Sequence, residues 1–260
     1  MDGSKVFFLC AMPRSGNTLF ASIMNQNPEL VVTANSLTLE IMKDLFFLKK
    51  IDTFQNFPDH HSLNNVLDMV FSAYYKNWNY KYIIDRGPVG TDGNLGLMKK
   101  HFKQPIKCIV LLRDLMDVLA SYIKWFETET TAFPNRYSST LESKLSLVMN
   151  DKGAVAKELK CILNLMQPVN KHMAYFFKYD DFIIDPEKYI KEIYQFLDIP
   201  YFKHSFINLE QLIVNGIRYD DSIMGKNMHT IRTKEIKKLN NPYKDMIPER
   251  IKQKYGHIKF

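Results

Sequence analysis

The chain has few cysteines: three among 260 residues, at Cys10, Cys108 and Cys161. The number is odd and no two stand at CxxC spacing, so neither a disulfide framework nor a zinc ribbon is expected. All three read as reduced residues of an apolar core. Long apolar runs are also missing. No stretch reaches membrane-spanning length without a charge, and Val6 to Met12 is too short for the core of a signal peptide with its cleavage site. The expectation is therefore a cytoplasmic chain without membrane contact. No internal repeat and no low-complexity tract interrupts it, which argues against solenoids and disordered linkers.

What is present is ordinary globular material. Hydrophobic residues make up 46% and charged residues 24%, enough apolar mass for one α/β domain spanning 1–260. The formal charge is +7. The basic residues are dispersed, and no nucleic-acid module is legible. The surplus suits an anionic ligand without specifying one.

The order of apolar segments sets the fold class. Val6-Phe7-Phe8-Leu9-Cys10 is continuously apolar, as a parallel strand buried on both faces requires. A turn at Pro13–Gly16 follows, then a helix over Asn17–Asn25. Strands are expected again at Tyr80–Asp85, Ile106–Leu112 and Ala174–Tyr179. Helices are expected at 37–49, 63–78, 95–102, 117–127, 140–167 and 185–197, the last with Pro186 at its first position. Strands alternating with helices imply a parallel sheet with right-handed crossovers. The predicted class is a P-loop NTPase-like α/β fold in three layers, with helical insertions. A ligand on such a sheet sits at the carboxyl ends of the strands.

Two of those ends carry chemistry. Ala11-Met12-Pro13-Arg14-Ser15-Gly16-Asn17-Thr18 follows a strand and opens a helix, the setting of a phosphate loop. The Walker pattern GxxxxGK[ST] is met at Gly16 and Thr18. Ala11 replaces its first Gly, and Asn17 replaces the Lys that reaches the β- and γ-phosphates. Helix N-terminal amides, Gly16, the Ser15 and Thr18 hydroxyls and the Arg14 guanidinium still favour an oxyanion. The second end is Arg113, with Ser121 eight residues on, about two turns into the following helix. Together they offer a second anion site. A plain ion pair of Arg113 with Asp114 or Asp117 is the competing reading.

Pro13 to Thr18 resembles the 5′-phosphosulfate loop of sulfotransferases, often written PRSGTT or PKSGTT. Arg113 to Ser121 resembles their 3′-phosphate motif, and Tyr179-Asp180-Asp181-Phe182 with Asp185-Pro186 resembles their YEDL…DP segment. The resemblance spans residues 5 to 200 and leans toward small bacterial and viral members, distantly like the tyrosyl-protein type. It implies sulfuryl transfer from 3′-phosphoadenosine 5′-phosphosulfate (PAPS) to a hydroxyl or amine, with no metal required. Arg14, Ser15, Gly16, Asn17 and Thr18 would hold the 5′ end, Arg113 and Ser121 the 3′-phosphate, and Tyr179 would line the nucleoside. Arg86-Gly87-Pro88 is similar to a Lys-Asp-Pro segment near the transferring group, which makes Arg86 a candidate catalytic cation.

The base is harder to place. The Glu that the tyrosyl-protein enzymes carry after their first helix is missing, and Ala34-Asn35 stand there instead. Glu40 is the candidate, on the condition that Ser36 or Thr38 caps its helix. His60 and His61 read as surface loop. A basic loop at 216–235 is expected to cover the nucleotide, with His229 and Arg232 as contacts and His229 as the alternative base. The insert at 131–167 and the loop at 56–61 are expected to shape the acceptor pocket. The acceptor class is not legible, and a homodimer is compatible with the sequence. Two further readings compete: a P-loop nucleotide kinase or NTPase with a degenerate Walker loop, and a non-catalytic polyanion-binding protein.

Overall fold

The computed structural model describes residues 4–210, 213–218, 220–223, 225–226, 229, 231, 235–236 and 242–260. The first half holds β1 (Lys5–Ala11), α1 (Asn17–Met24), β2 (Leu30–Val32), α2 (Thr38–Phe47), α3 (Asp52–Asn56), α4 (His60–Tyr74), β3 (Tyr82–Arg86), α5 (Asp92–His101) and β4 (Cys108–Leu112). The second half holds α6 (Leu115–Thr128), α7 (Leu141–Met149), α8 (Ala154–Leu165), β5 (Ala174–Lys178), α9 (Tyr179–Phe182), α10 (Pro186–Leu197), β6 (Ile213–Val214), β7 (Ile217–Arg218) and α11 (Glu249–Tyr255).

Five strands form one parallel sheet in the order β2-β3-β1-β4-β5. β1 is central because it is apolar at every position from Val6 to Ala11, all of them buried. β4 beside it is buried throughout. Each large apolar side chain so enclosed contributes roughly 1.5–3 kcal/mol, which fixes these strands in the middle. The chain passes from β1 toward the β2 edge and later crosses to β4 and β5. The strand order therefore reverses at β1, and the crevice over its carboxyl end is the expected ligand position.

The flanking helices obey local signals. α10 buries Ile190, Ile193, Tyr194 and Leu197 on one stripe; Asp185 caps it by accepting from Lys188 N at 3.2 Å, and Pro186 begins it. Asp114 caps α6 by accepting from Asp117 N at 3.1 Å. Asp114 also pairs with Lys244 and Lys259, and Asp117 with Lys244. The C-terminal segment is thereby strapped to the start of α6, and these carboxylates serve that strap rather than Arg113. The three cysteines are buried and unbridged.

Several boundaries differ from the sequence reading. His60 and His61 are exposed, but they begin α4 rather than lie in a loop, because Asp59 caps the helix at Ser62 N, 3.0 Å away. β5 stops at Lys178, so Tyr179 opens a helix and is not part of the strand. β2 and the β6–β7 hairpin were not expected. Asn215 and Gly216 turn that hairpin with positive φ (49° and 74°), the demand of a tight two-residue turn.

Candidate active site

The loop after β1 is shaped by two left-handed residues, Arg14 (φ 70°) and Gly16 (φ 103°). Gly16 caps α1 and must be glycine for a second reason. A Cβ there would lie 2.5 Å from the Tyr179 ring. Ser15 is fully buried and its Oγ has no hydrogen-bond partner among the described residues. A hydroxyl donor unsatisfied beside a helix N-terminus is what an oxyanion would satisfy. Asn17 is also buried. Its Nδ2 donates to the Met12 carbonyl at 3.2 Å, so this side chain braces the loop. Thr18 is half-buried in the first turn of α1.

The adjacent end of β4 brings the second motif against the first. Arg113 Nη1 donates to the Arg14 carbonyl at 2.8 Å, and its guanidinium stacks 4.5 Å from the centre of the Tyr179 ring. Arg14 Nε donates to Ser121 Oγ at 3.2 Å. Arg14, Gly16, Arg113, Ser121 and Tyr179 thus make one contact set, although they span 165 positions (179 − 14). The Arg14 side chain reaches toward Ser121, across the gap between the two expected anion sites. Tyr179 stands edge-on to Gly16 and beneath Arg113, so one ring fixes both motifs. Burial pushes its phenol up, and the Arg113 charge opposes that.

β3 supplies the neighbouring half. Arg86 ends β3, in register with Leu9 of β1, and its amide donates to Thr33 Oγ1 at 2.8 Å. Asp85 before it is buried and accepts from Ser36 Oγ (2.5 Å), Thr38 Oγ1 (2.8 Å) and Tyr75 Oη (2.8 Å). Burial raises its carboxyl to about 6, the three hydroxyls opposing the rise. Ser36 and Thr38 spend their hydroxyls on Asp85, and no side chain caps α2. The condition attached to Glu40 fails. Glu40 is exposed on α2, although its charge still acts on Asp85 and on Glu158.

The late loop returns over α6. The Trp125 indole donates to the Lys226 carbonyl at 3.1 Å, and a Cβ on Gly225 would meet Ala132 Cα at 2.8 Å. His229 Nδ1 lies 2.6 Å from Asp221 Oδ1, and its backbone amide donates to Asp221 Oδ2 at 3.0 Å. Burial pulls the imidazole down and Asp221 pushes it up, while the Arg86 and Arg14 charges lower it further. His229 therefore sits in the field of both site arginines. Arg232 lies outside the described residues.

Glu158 escaped the sequence reading because nothing beside it marks it. It sits on α8, whose packing on β1 carries its carboxyl to the Ala11 amide and into the fields of Arg86 and Glu40. Among the described residues no group of three or more His, Cys, Asp or Glu could hold a metal ion. Nor, among them, is any helix long and apolar enough to cross a membrane.

A phosphate-type loop between a central strand and a helix, at the carboxyl edge of a parallel sheet, defines a P-loop-like α/β protein. A sulfotransferase domain model matches residues 4–220. The chain belongs to that family, and it is a sulfotransferase, an enzyme that transfers a sulfuryl group. The fold is similar to the sulfotransferase domain of the curacin biosynthetic pathway (16% identity, 99% of this chain and 92% of that one, TM-score 0.53). It is also similar to the sulfotransferase domain of the Synechococcus PCC 7002 olefin synthase (16%, 100% and 98%, TM-score 0.53). A third similar fold is mouse sulfotransferase SULT7A1, solved with PAP (14%, 97% and 82%, TM-score 0.55). No curated protein matches the sequence.

Proposed function

We propose that PAPS is the sulfuryl donor and that the carboxyl-edge contact set grips it at both ends. The observation that carries this reading is the meeting of the two motifs on one ring: Arg113 against the Arg14 carbonyl and over Tyr179, with Tyr179 over Gly16. A donor with anions on its 5′ and 3′ sides needs two cationic pockets that share a wall, and Tyr179 is that wall. Ser15, Gly16, Thr18 and the α1 N-terminus receive the 5′ end. Arg113 and Ser121 receive the 3′-phosphate. Arg14 changes partner from Ser121 to the ligand when the nucleotide enters, and Asn17 keeps the loop rigid.

Transfer is an in-line displacement at sulfur. Arg86 stabilises the charge that builds on the transferring group. His229 takes the acceptor's proton: Asp221 fixes the Nδ1–H tautomer, in which Nε2 is the basic nitrogen, and the lowered pKa keeps the ring neutral near pH 7. Asp85 holds the start of α2 and the end of α4 beneath Arg86 and does not meet the substrate. The 131–167 insert and residues 56–61 shape the acceptor's pocket.

The reading is tested with donor carrying ³⁵S, incubated with an extract of candidate acceptors. Wild type is expected to move label onto an acceptor, and Arg113→Ala to abolish that transfer. Label transfer by Arg113→Ala at the wild-type rate would contradict the site. Nucleotide-triphosphate hydrolysis that requires Mg²⁺, with no sulfuryl transfer, would contradict the donor.

A further inference from the structure

The groups assigned so far supply two arginines and a base, but no acid. A guanidinium stays charged at every accessible pH, so Arg86 cannot give up a proton to the oxygen that departs with the nucleotide. Glu158 lies beside this gap. α8 is pinned to the loop that follows Arg86: Gly90 N donates to Cys161 Sγ at 3.2 Å, and Asn164 Nδ2 donates to the Gly90 carbonyl at 2.7 Å. The approach is so close that a Cβ on Gly90 would lie 2.9 Å from the Cys161 carbonyl. Glu158 precedes Cys161 by three residues, on the same face of the helix. The residue is half-buried, and its Oε2 is fully buried with no hydrogen-bond partner among the described residues. An ionised carboxylate oxygen in that position would carry a far larger desolvation cost than a protonated one.

We infer that Glu158 is a catalytic acid of this site, holding a proton that it passes to the bridging oxygen of the donor. This rests on the donor assignment above. In the step, the acceptor oxygen forms its bond to sulfur and its proton goes to His229. The bond from sulfur to the bridging oxygen breaks, its electron pair stays on that oxygen, and the Glu158 proton joins it. Glu158 is left ionised and His229 protonated, and exchange with solvent resets both.

The groups acting on Glu158 come from every side. Burial first, and the charge of Glu40 on α2, push its carboxyl well above the ordinary glutamate range; Arg86 on β3 and the Ala11 amide pull it back. The acid is active while protonated, so turnover falls as pH rises through this raised value. It falls again at low pH, where His229 becomes charged.

Glu158→Gln keeps the shape and removes the proton. The test reads release of labelled sulfate from PAPS, with water as acceptor, across pH in single turnovers. Wild type is expected to show the alkaline decline. Glu158→Gln should be slower by about 10²-fold and lack that decline, and Glu158→Asp should recover part of both. Affinity for adenosine 3′,5′-bisphosphate (PAP) should stay within about threefold. An infrared difference spectrum of ligand-free wild type minus Glu158→Gln should carry a protonated-carboxyl band at neutral pH. Equal rates and profiles in wild type and Glu158→Gln, at whatever level, would overturn the inference, and so would absence of the band. Failure of the wild type to bind PAP would strike the donor assignment instead, leaving the band to decide the state of Glu158.

Discussion

The two halves of the proposed active site are built differently. The nucleotide half lies on β1, β4 and β5, adjacent strands whose ends deliver Gly16, Arg113 and Tyr179 to one place. Those three sit within a few positions of a strand end and strand pairing converges them, while Ser121 joins from α6 through Arg14 Nε. The transfer half gathers Arg86 from β3, Glu158 from α8 and His229 from the late loop, with Asp85 anchoring α2 and α4 below. Only tertiary packing of inserted elements brings those groups together. The first half is the part expected to bind, the second the part expected to react, and the two are separable by mutation.

The largest effect expected is on binding. Arg113→Ala removes a guanidinium held between the Arg14 carbonyl and the Tyr179 ring. PAP affinity measured by calorimetry should fall by about 10³-fold, whereas a fall below about tenfold would break the division at its stronger side. Arg86→Ala tests the other side. Turnover should drop by about 10²-fold with PAP affinity changed less than about threefold. A large loss of affinity would move Arg86 into the nucleotide half.

Asp85 sharpens the comparison through stability. Its folded value near 6 lies above the ordinary 3.8, so the native state holds this proton more tightly than the unfolded chain does. The stability it contributes is present at low pH and is lost as pH rises from about 4 to 6, by on the order of 2 kcal/mol. Asp85→Asn should lack that decline when urea unfolding is compared at the two ends of the window. An unchanged pH slope would remove Asp85 from the account.

Gly16→Ala is the smallest change. It puts a Cβ 2.5 Å from the Tyr179 ring at a φ of 103°. A loss of about tenfold in PAP affinity is expected, and the same substitution should cost clearly less when made in a Tyr179→Ala background, whose own affinity is already lowered. Strict additivity of the two substitutions would mean that the ring does not join the two motifs.

The sequence reading reached the parallel sheet and the strand–loop–helix settings of Arg14–Thr18 and of Arg113–Ser121, because each is spelled out locally by an apolar run, a turn and a helix. It missed β2, since three residues carry no periodicity. It passed over the hairpin although Asn215-Gly216 announced it, and over the α4 start although Asp59 stands at the cap position. The Glu40 condition failed for a tertiary reason: Asp85, 47 positions beyond Thr38, competes for the hydroxyls that would have capped α2. Glu158 had no local signature, and His229 was singled out without the Asp221 that holds it. Their chemistry arises from what the fold places beside them, Arg86 above all.

The central claim is that one ligand spans two cationic pockets walled by Tyr179. Calorimetric titration of the wild-type protein with PAP and with AMP tests it most directly, because the two differ only in the 3′-phosphate that Arg113 and Ser121 would receive. The account predicts that PAP binds at least about 10²-fold more tightly. Equal affinities would contradict it.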